Sequence, residues 1–307
     1  MTTNFRCCIR VSDQPVRRVL GISDLSDAEI DAVLHRAGGL ASGATPLSMS
    51  GVLGIGMFET SLRTRTGFAS AAYRLGLGVI EVDARRSSEI SMPESLVDTV
   101  RTLSGYADVL VVRAPGPASA LSAAARSDVP WLNAGDRGRT AEHPSQALID
   151  VFAMERLVGP VGELHVAVCG DLRMRSARSL LALLALRQPR RLTLLTHLEL
   201  TDGFELPPAL GPITSQHTHA DLHDVAVLMA VGIPHGAATE PARTALRVDN
   251  EMLTSMPSDA VVLSPMPIID EIASPARRDH RMRYFEQSDL GLFVRIALVE
   301  LLLGRLG

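Results

Sequence analysis

The sequence holds 307 residues, of which 46% are hydrophobic and 21% charged, with a formal net charge of -4 at pH 7. That length suits one large or two medium domains, and the composition excludes an extended disordered chain. The mild negative charge excludes the basic footprint of a nucleic-acid binder, and because all 30 basic residues are arginine, no lysine is present to act as a base or form a Schiff base.

Residues 1–13 contain no long apolar core, so no secretory signal is expected. Cys7, Cys8 and Cys169 have neither disulfide-framework nor zinc spacing, and reduced thiols in a cytoplasmic protein are expected. Ser26-Asp27-Ala28-Glu29 is a capping box that opens a helix expected to stop at Gly38-Gly39. Apolar runs at residues 52–57, 79–82, 109–112 and 130–133 read as strands, with helical patterns at 64–75 and 94–103 between them. Pro144 suits the first turn of a helix running to about residue 158. The second half repeats the scheme, with strands at 166–169, 192–195, 225–229 and 261–263 and a helix at 176–186. The tail at 290–306 is broken by Arg295 and Glu300 and falls short of the ~20 apolar residues of a membrane span, so it reads as a buried or docking helix.

Alternating strands and helices predict an α/β fold, and continuous apolar strands predict sheets covered on both faces. The expected architecture is two doubly wound parallel-sheet domains that meet near His143-Pro144, joined by interdomain helices. A ligand would sit in the cleft outside the carboxyl ends of the strands.

Three segments carry chemistry. The run Phe58-Glu59-Thr60-Ser61-Leu62-Arg63-Thr64-Arg65 sets hydroxyls and guanidiniums where a strand becomes a helix. Such a terminus offers unpaired N–H groups to an anion, although a capped helix with solvated arginines uses the same residues. Arg113 ends a strand and points either into the cleft or to solvent. Cys169-Gly170-Asp171-Leu172, followed by Arg173, Arg175 and Arg178, lacks the G-x-G-x-x-G of a dinucleotide site.

Taken together, these segments resemble the aspartate/ornithine carbamoyltransferase family over nearly the whole chain. Ser61, Arg63, Thr64 and Arg65 are similar to the family's S-T-R-T-R phosphate signature, with Leu62 in place of a threonine. Arg113 with Pro115 resembles the arginine that bonds the carbamoyl oxygen. His143-Pro144-Ser145-Gln146 resembles H-P-T-Q, in which the histidine donates to that oxygen and the glutamine holds the amino group. The resemblance implies that Arg113, His143 and Thr64 polarise the carbonyl while Ser61, Leu62, Arg63, Thr64 and Gln146 bind phosphate and carbamoyl. It implies Arg175, with Arg178 as the alternative, for the acceptor's α-carboxylate. Pro265 and Met266, in a run similar to H-P-L-P-R-x-D-E-I, would turn carbonyls toward the attacking amine.

Elsewhere the sequence departs from the family. Ala230-Val231-Gly232 stands where aspartate enzymes have R-x-Q, so no charge selects a second carboxylate and an apolar pocket near Ala230 and Gly232 is expected. In the loop that enters a neighbouring subunit, Ser88 matches a serine, Met92 stands at the lysine, and Arg85 or Arg86 is the available cation. The implied protein is a homotrimeric carbamoyltransferase using carbamoyl phosphate and an amino-acid-like acceptor other than simple aspartate, with no cofactor or metal and neither nucleic acid nor membrane as partner. The alternative is a catalytically impaired paralogue acting as a partner subunit, suggested by Leu62, Met92 and Ala230. The implied domains are a carbamoyl-phosphate domain of residues 1–143, completed by 289–307, and an acceptor domain of 144–288.

Overall fold

A computed structural model describes residues 16–83 and 94–306. The expectations for residues 1–13, for Cys7 and Cys8, and for Arg85, Arg86, Ser88 and Met92 lie outside the described residues. The first sheet contains β1 (Arg18–Val19), β2 (Val52–Met57), β3 (Gly78–Asp83), β4 (Val109–Arg113) and β5 (Trp131–Asn133) in the order β1-β5-β4-β2-β3. The second contains β6 (His165–Gly170), β7 (Arg191–Leu195), β8 (Thr214–His217), β9 (Val227–Val231) and β10 (Val261–Leu263) in the order β10-β9-β6-β7-β8. Every pairing in both sheets is parallel, so the expected two-sheet α/β architecture is found.

The helices are α1 (Asp27–Ala41), α2 (Leu62–Leu75), α3 (Leu96–Ser104), α4 (Pro117–Ala124), α5 (Pro144–Leu157), α6 (Arg175–Arg187), α7 (Glu240–Ala245), α8 (Asn250–Thr254) and α9 (Tyr284–Leu302). Helix α9 packs on α1, α2 and α5, and α5 packs in turn on α6. One core therefore runs across both sheets. Leu53 and Ile55 of β2 and Val109 and Val111 of β4 share it with Val166 and Val168 of β6 and Val227 and Met229 of β9. The alternate residues of the same strands, such as Leu110 and Val112 or Ala167 and Cys169, face separate clusters on the outer sides. This period-two partition is why the strands are apolar throughout. Each fully buried aliphatic side chain contributes roughly 1.5–3 kcal/mol.

Two expectations need correction, and two strands have no expectation to match. Helix α1 runs through Gly38-Gly39 to Ala41, because the Gly38 carbonyl still accepts from Ser42 and the left-handed glycine that ends the helix is Gly43, at φ +99. Strand β9 lies two residues later than expected, since its register with β6 pairs Val166 with Val227 and Gly170 with Val231. The short β1 and the polar β8 (Thr-Ser-Gln-His) carry no apolar run to read. Among the described residues no helix is long and apolar enough to cross a membrane. The tail instead docks as α9, with Glu300 fully buried and paired to Arg36 at 2.6 Å.

Candidate active site

Both sheets direct the carboxyl ends of their strands toward one cleft of about 350 Å³. β2 delivers Thr60 to Thr64, β4 ends in Arg113, and the chain leaving β5 brings His143 and then Gln146. From the second sheet come Met174, Arg175 and Ser176 after β6, Val231 and Gly232 at β9, and Ser264 to Pro267 after β10. Open α/β sheets place ligands at this edge because the helices that follow the strands present their N-termini there.

Ser61 is the N-cap of α2. Its hydroxyl accepts from the Thr64 N–H at 3.4 Å and donates to Thr64 Oγ1 at 2.9 Å, which orients both hydroxyls at the helix start. Arg63 is half-buried, and desolvation lowers its pKa from the ordinary arginine value. Leu62 lines the same cleft at 75% exposure and brings no side-chain donor. Arg65, the second guanidinium of the run, turns away to pair with Glu81 of β3 at 2.7 Å and does not line the cleft.

Arg113 and His143 meet across Gly135. Arg113 is buried and donates from Nη1 to the Ala134 carbonyl at 3.2 Å. His143 is also buried, and its Nδ1 lies 3.3 Å from the Ser145 hydroxyl. With that hydroxyl donating to Nδ1, the ring proton sits on Nε2. Burial, with the charge of Arg295 adding to it, pushes the pKa of His143 down to about 3, so the imidazole is neutral at physiological pH. Gly135 has φ +98, and a Cβ there would come within 2.7 Å of His143 Cδ2 and 2.8 Å of Arg113 Nη1. The glycine thus allows an arginine and a neutral imidazole to approach one point, which suits an oxygen that gains negative charge.

Glu59 is a further site residue that the sequence reading left without a role. Its carboxylate is 2.6 Å from Arg137 Nε, 3.3 Å from Arg175 Nη1 and 3.8 Å from Arg113 Nη2. Arg175 also donates to the Asp136 carbonyl at 2.6 Å. One carboxylate therefore orients three arginines, and the local charge stays positive. The readable signal was a glutamate two residues before an anion loop, where it would repel the ligand unless outnumbered.

On the opposite wall, Pro265 and Met266 line the cleft, the Met266-Pro267 peptide is cis, and the Met266 N–H donates to Ser264 Oγ at 3.1 Å. Of the apolar pocket expected near Ala230 and Gly232, Gly232 lines the cleft and Ala230 does not. The strand register turns Ala230 into the outer core with Cys169 and Leu228, and Val231 and Gly232 line the cleft instead. Ile269 and Glu271 complete that end. Burial raises the pKa of Glu271, opposed by the N–H groups of Ile269 at 2.8 Å and Asp270 at 3.2 Å. Arg178, the alternative to Arg175, does not line the cleft. Burial pushes the Cys169 thiol up to about 12, which removes it as a nucleophile.

Known proteins match this arrangement along the chain. Residues 17–156 match the domain family described as aspartate/ornithine carbamoyltransferase, carbamoyl-P binding domain. The aspartate carbamoyltransferase catalytic subunit of Haloquadratum walsbyi is 33% identical over 305 residues, covering 94% of this chain and 98% of the relative. That of Halorubrum lacusprofundi is 35% identical, covering 92% and 93%. The aspartate transcarbamoylase of Trypanosoma cruzi, solved with N-(phosphonacetyl)-L-aspartic acid, superposes with a TM-score of 0.80 at 28% identity, covering 92% of this chain and 94% of that one. The catalytic subunit from M. jannaschii superposes at 0.79, also at 28% identity, covering 94% and 98%. The chain belongs to the aspartate/ornithine carbamoyltransferase family and is a transferase of that class.

Proposed function

We propose that this protein transfers a carbamoyl group from carbamoyl phosphate to the amine of an acceptor that carries one carboxylate and no second anionic group. The observation that carries the reading is the convergence of Ser61, Arg63, Thr64, Arg113, His143 and Gln146 on one cleft. In this reading the start of α2 holds the phosphate with the Leu62 N–H, Arg63 and the Ser61 hydroxyl, whose proton turns from Thr64 Oγ1 to the anion. Arg113, the Nε2–H of His143 and the Thr64 hydroxyl hold the carbamoyl oxygen, and Gln146 holds its amino group. An uncharged acceptor amine, positioned by Arg175 and by carbonyls of the turn at Pro265 and Met266, attacks the carbonyl carbon. The C–O bond to phosphate then breaks, and the departing phosphate takes the amine's proton. The site works by orientation and by stabilising the oxyanion, with no general base of its own.

The T. cruzi enzyme has been solved with carbamoyl phosphate and aspartate together, which supports the donor. For the acceptor, Val231, Gly232, Ile269 and Glu271 offer no cation to a second carboxylate. The same reading assigns residues 1–143 with 289–307 to the donor domain and 144–288 to the acceptor domain. It also proposes a homotrimer in which Ser88 and Arg86 reach a neighbour. Edge strand β3, with none of its six residues buried, and the exposed Tyr73 nearby support a partner on that side.

The test is phosphate release from carbamoyl phosphate with a panel of amino acids and amines that includes aspartate. Turnover with monocarboxylate acceptors and little with aspartate is expected. Aspartate as the best acceptor overturns the acceptor reading. Binding without any turnover returns the partner-subunit reading, and no binding of carbamoyl phosphate overturns the donor site.

A further inference from the structure

Beneath the cleft, one buried carboxylate joins its two walls. Asp150 of α5 is 1% exposed, as is Gln287 of α9. Gln146 Nε2, one helical turn before Asp150, donates to Asp150 Oδ1 at 2.7 Å. Gln287 Nε2 donates to the same oxygen at 2.6 Å, and Gln287 Oε1 accepts from the Ser264 N–H at 2.9 Å. The chain Gln146–Asp150–Gln287–Ser264 thus runs from the donor wall to the turn that carries Pro265 and Met266.

A primary amide is a donor at nitrogen and an acceptor at oxygen, whereas a carboxylate only accepts. Turning Gln146 over would set its carbonyl against Asp150 Oδ1, oxygen to oxygen, in a buried site, and an unsatisfied buried polar atom is costly. Asp150 therefore dictates which end of Gln146 remains for the cleft, and that end is Oε1. An acceptor at this point favours a ligand with an N–H donor over one with a methyl group. Burial raises the Asp150 pKa to about 7, and the carbonyl oxygen of the protonated form still accepts, so the orientation holds in either state.

We propose that Asp150 is a positioning residue that fixes the amide of Gln146 and, through Gln287, ties the Ser264 turn to it, so that the site selects a carbamoyl group over an acetyl group of the same shape. This rests on the donor reading above.

The test is calorimetry on the intact protein with three probes: phosphonoacetamide (a stable amide mimic of carbamoyl phosphate), inorganic phosphate and acetyl phosphate. Wild type is expected to bind phosphonoacetamide at least about tenfold tighter than either of the others, consistent with hydrogen bonds that discriminate. Asp150→Leu should lose most of that preference while phosphate affinity stays within about twofold. Asp150→Asn, whose Oδ1 still accepts, should restore it. Gln287→Leu, which touches no proposed ligand group, should lower the preference about threefold or more and serves alone where Asp150→Leu does not fold. A preference unchanged in the Leu variants, or lost equally in Asp150→Asn, overturns the relay alone. A wild type without the preference overturns the donor reading with it.

Discussion

Arg295 carries a charge that no described carboxylate neutralises, and removing it should reveal what does. The side chain rises from α9 beneath the anion loop and is 6% exposed. Among the described residues it has no carboxylate partner, and its Nε has no hydrogen-bond acceptor. It lies 5.7 Å over the Phe68 ring, in space left by Gly67 and Gly291, where a Cβ would come within 2.7 Å of Nη1. Burial, with Arg63 adding repulsion, lowers its pKa well below the ordinary arginine value, to about 10. A shift of that size corresponds to about 3 kcal/mol against the charged form. The group is a base with a depressed folded pKa, so this cost applies fully below pH 10 and is relieved only as pH rises above that. Arg295→Met removes the charge and keeps most of the volume, while forfeiting the ring contact, worth about 1 kcal/mol. The anion-free variant should therefore be more stable by about 1–2 kcal/mol, a rise of a few degrees in Tm. Phosphate should stabilise the variant less than the wild type, because the bound anion offsets both Arg63 and Arg295. Thermal unfolding at pH 7.5 with and without phosphate measures both effects. A lower Tm for the variant in phosphate-free buffer, with equal phosphate shifts for both proteins, would refute the reasoning.

Gly135→Ala should reduce kcat in phosphate-release assays by about 100-fold, because the new methyl displaces both Arg113 and His143. The strain at φ +98 should cost a further 1–2 kcal/mol or so in a urea melt. His143→Ala should lower kcat about 100- to 1,000-fold, by a factor that is constant from pH 5 to 8, since the wild-type imidazole is already neutral there. His143 gains a proton below pH 6.5 only in the unfolded chain, so the wild type should lose stability as pH falls from 6.5 toward 3, and the alanine variant should lose less. Leu62→Thr supplies a hydroxyl at a 75% exposed position on the anion loop and should tighten phosphate binding about tenfold in calorimetry, where an unchanged Kd would show that this position faces away.

Much of the fold was legible because its strands are buried on both faces. Such strands need apolar residues at consecutive positions, and β2, β4, β6 and β9 all show them. β8 escaped notice because an edge strand pairs on one side only and tolerates Thr, Ser, Gln and His. Gly38-Gly39 does not end α1 because a glycine stops a helix by taking a left-handed conformation, and the glycine that does so here is Gly43, at φ +99. The donor residues were legible for a different reason. A parallel strand that ends in a helix N-terminus forces its chemistry into the few residues of the connection, so Ser61, Arg63, Thr64, Arg113, His143 and Gln146 sit at recognisable junctions. Glu59 and Arg295 act through partners far away in sequence, and Asp150 joins its neighbour Gln146 to the distant Gln287, so only packing reveals their roles.

The acceptor wall shows why local pattern fails where several segments share a surface. Counting along β9 puts Ala230 opposite the family's arginine, yet the strand alternates, so Ala230 enters the outer core while Val231 and Gly232 reach the cleft. What the ligand meets there depends on a segment some forty residues on. A Cβ at Gly232 would lie 3.2 Å from Ile269 Cδ1 and 3.5 Å from Glu271 Oε2. The glycine therefore opens the pocket toward an apolar side chain and a desolvated carboxylate. A neutral substituent packs against Ile269 without needing a counter-charge, whereas a second carboxylate finds no cation among Val231, Gly232 and Ile269. The family's D-E-I run carries a glutamate at the place of Glu271 as well, so the proposed exclusion of a dianionic acceptor rests on the missing cation on this wall and not on that carboxyl group.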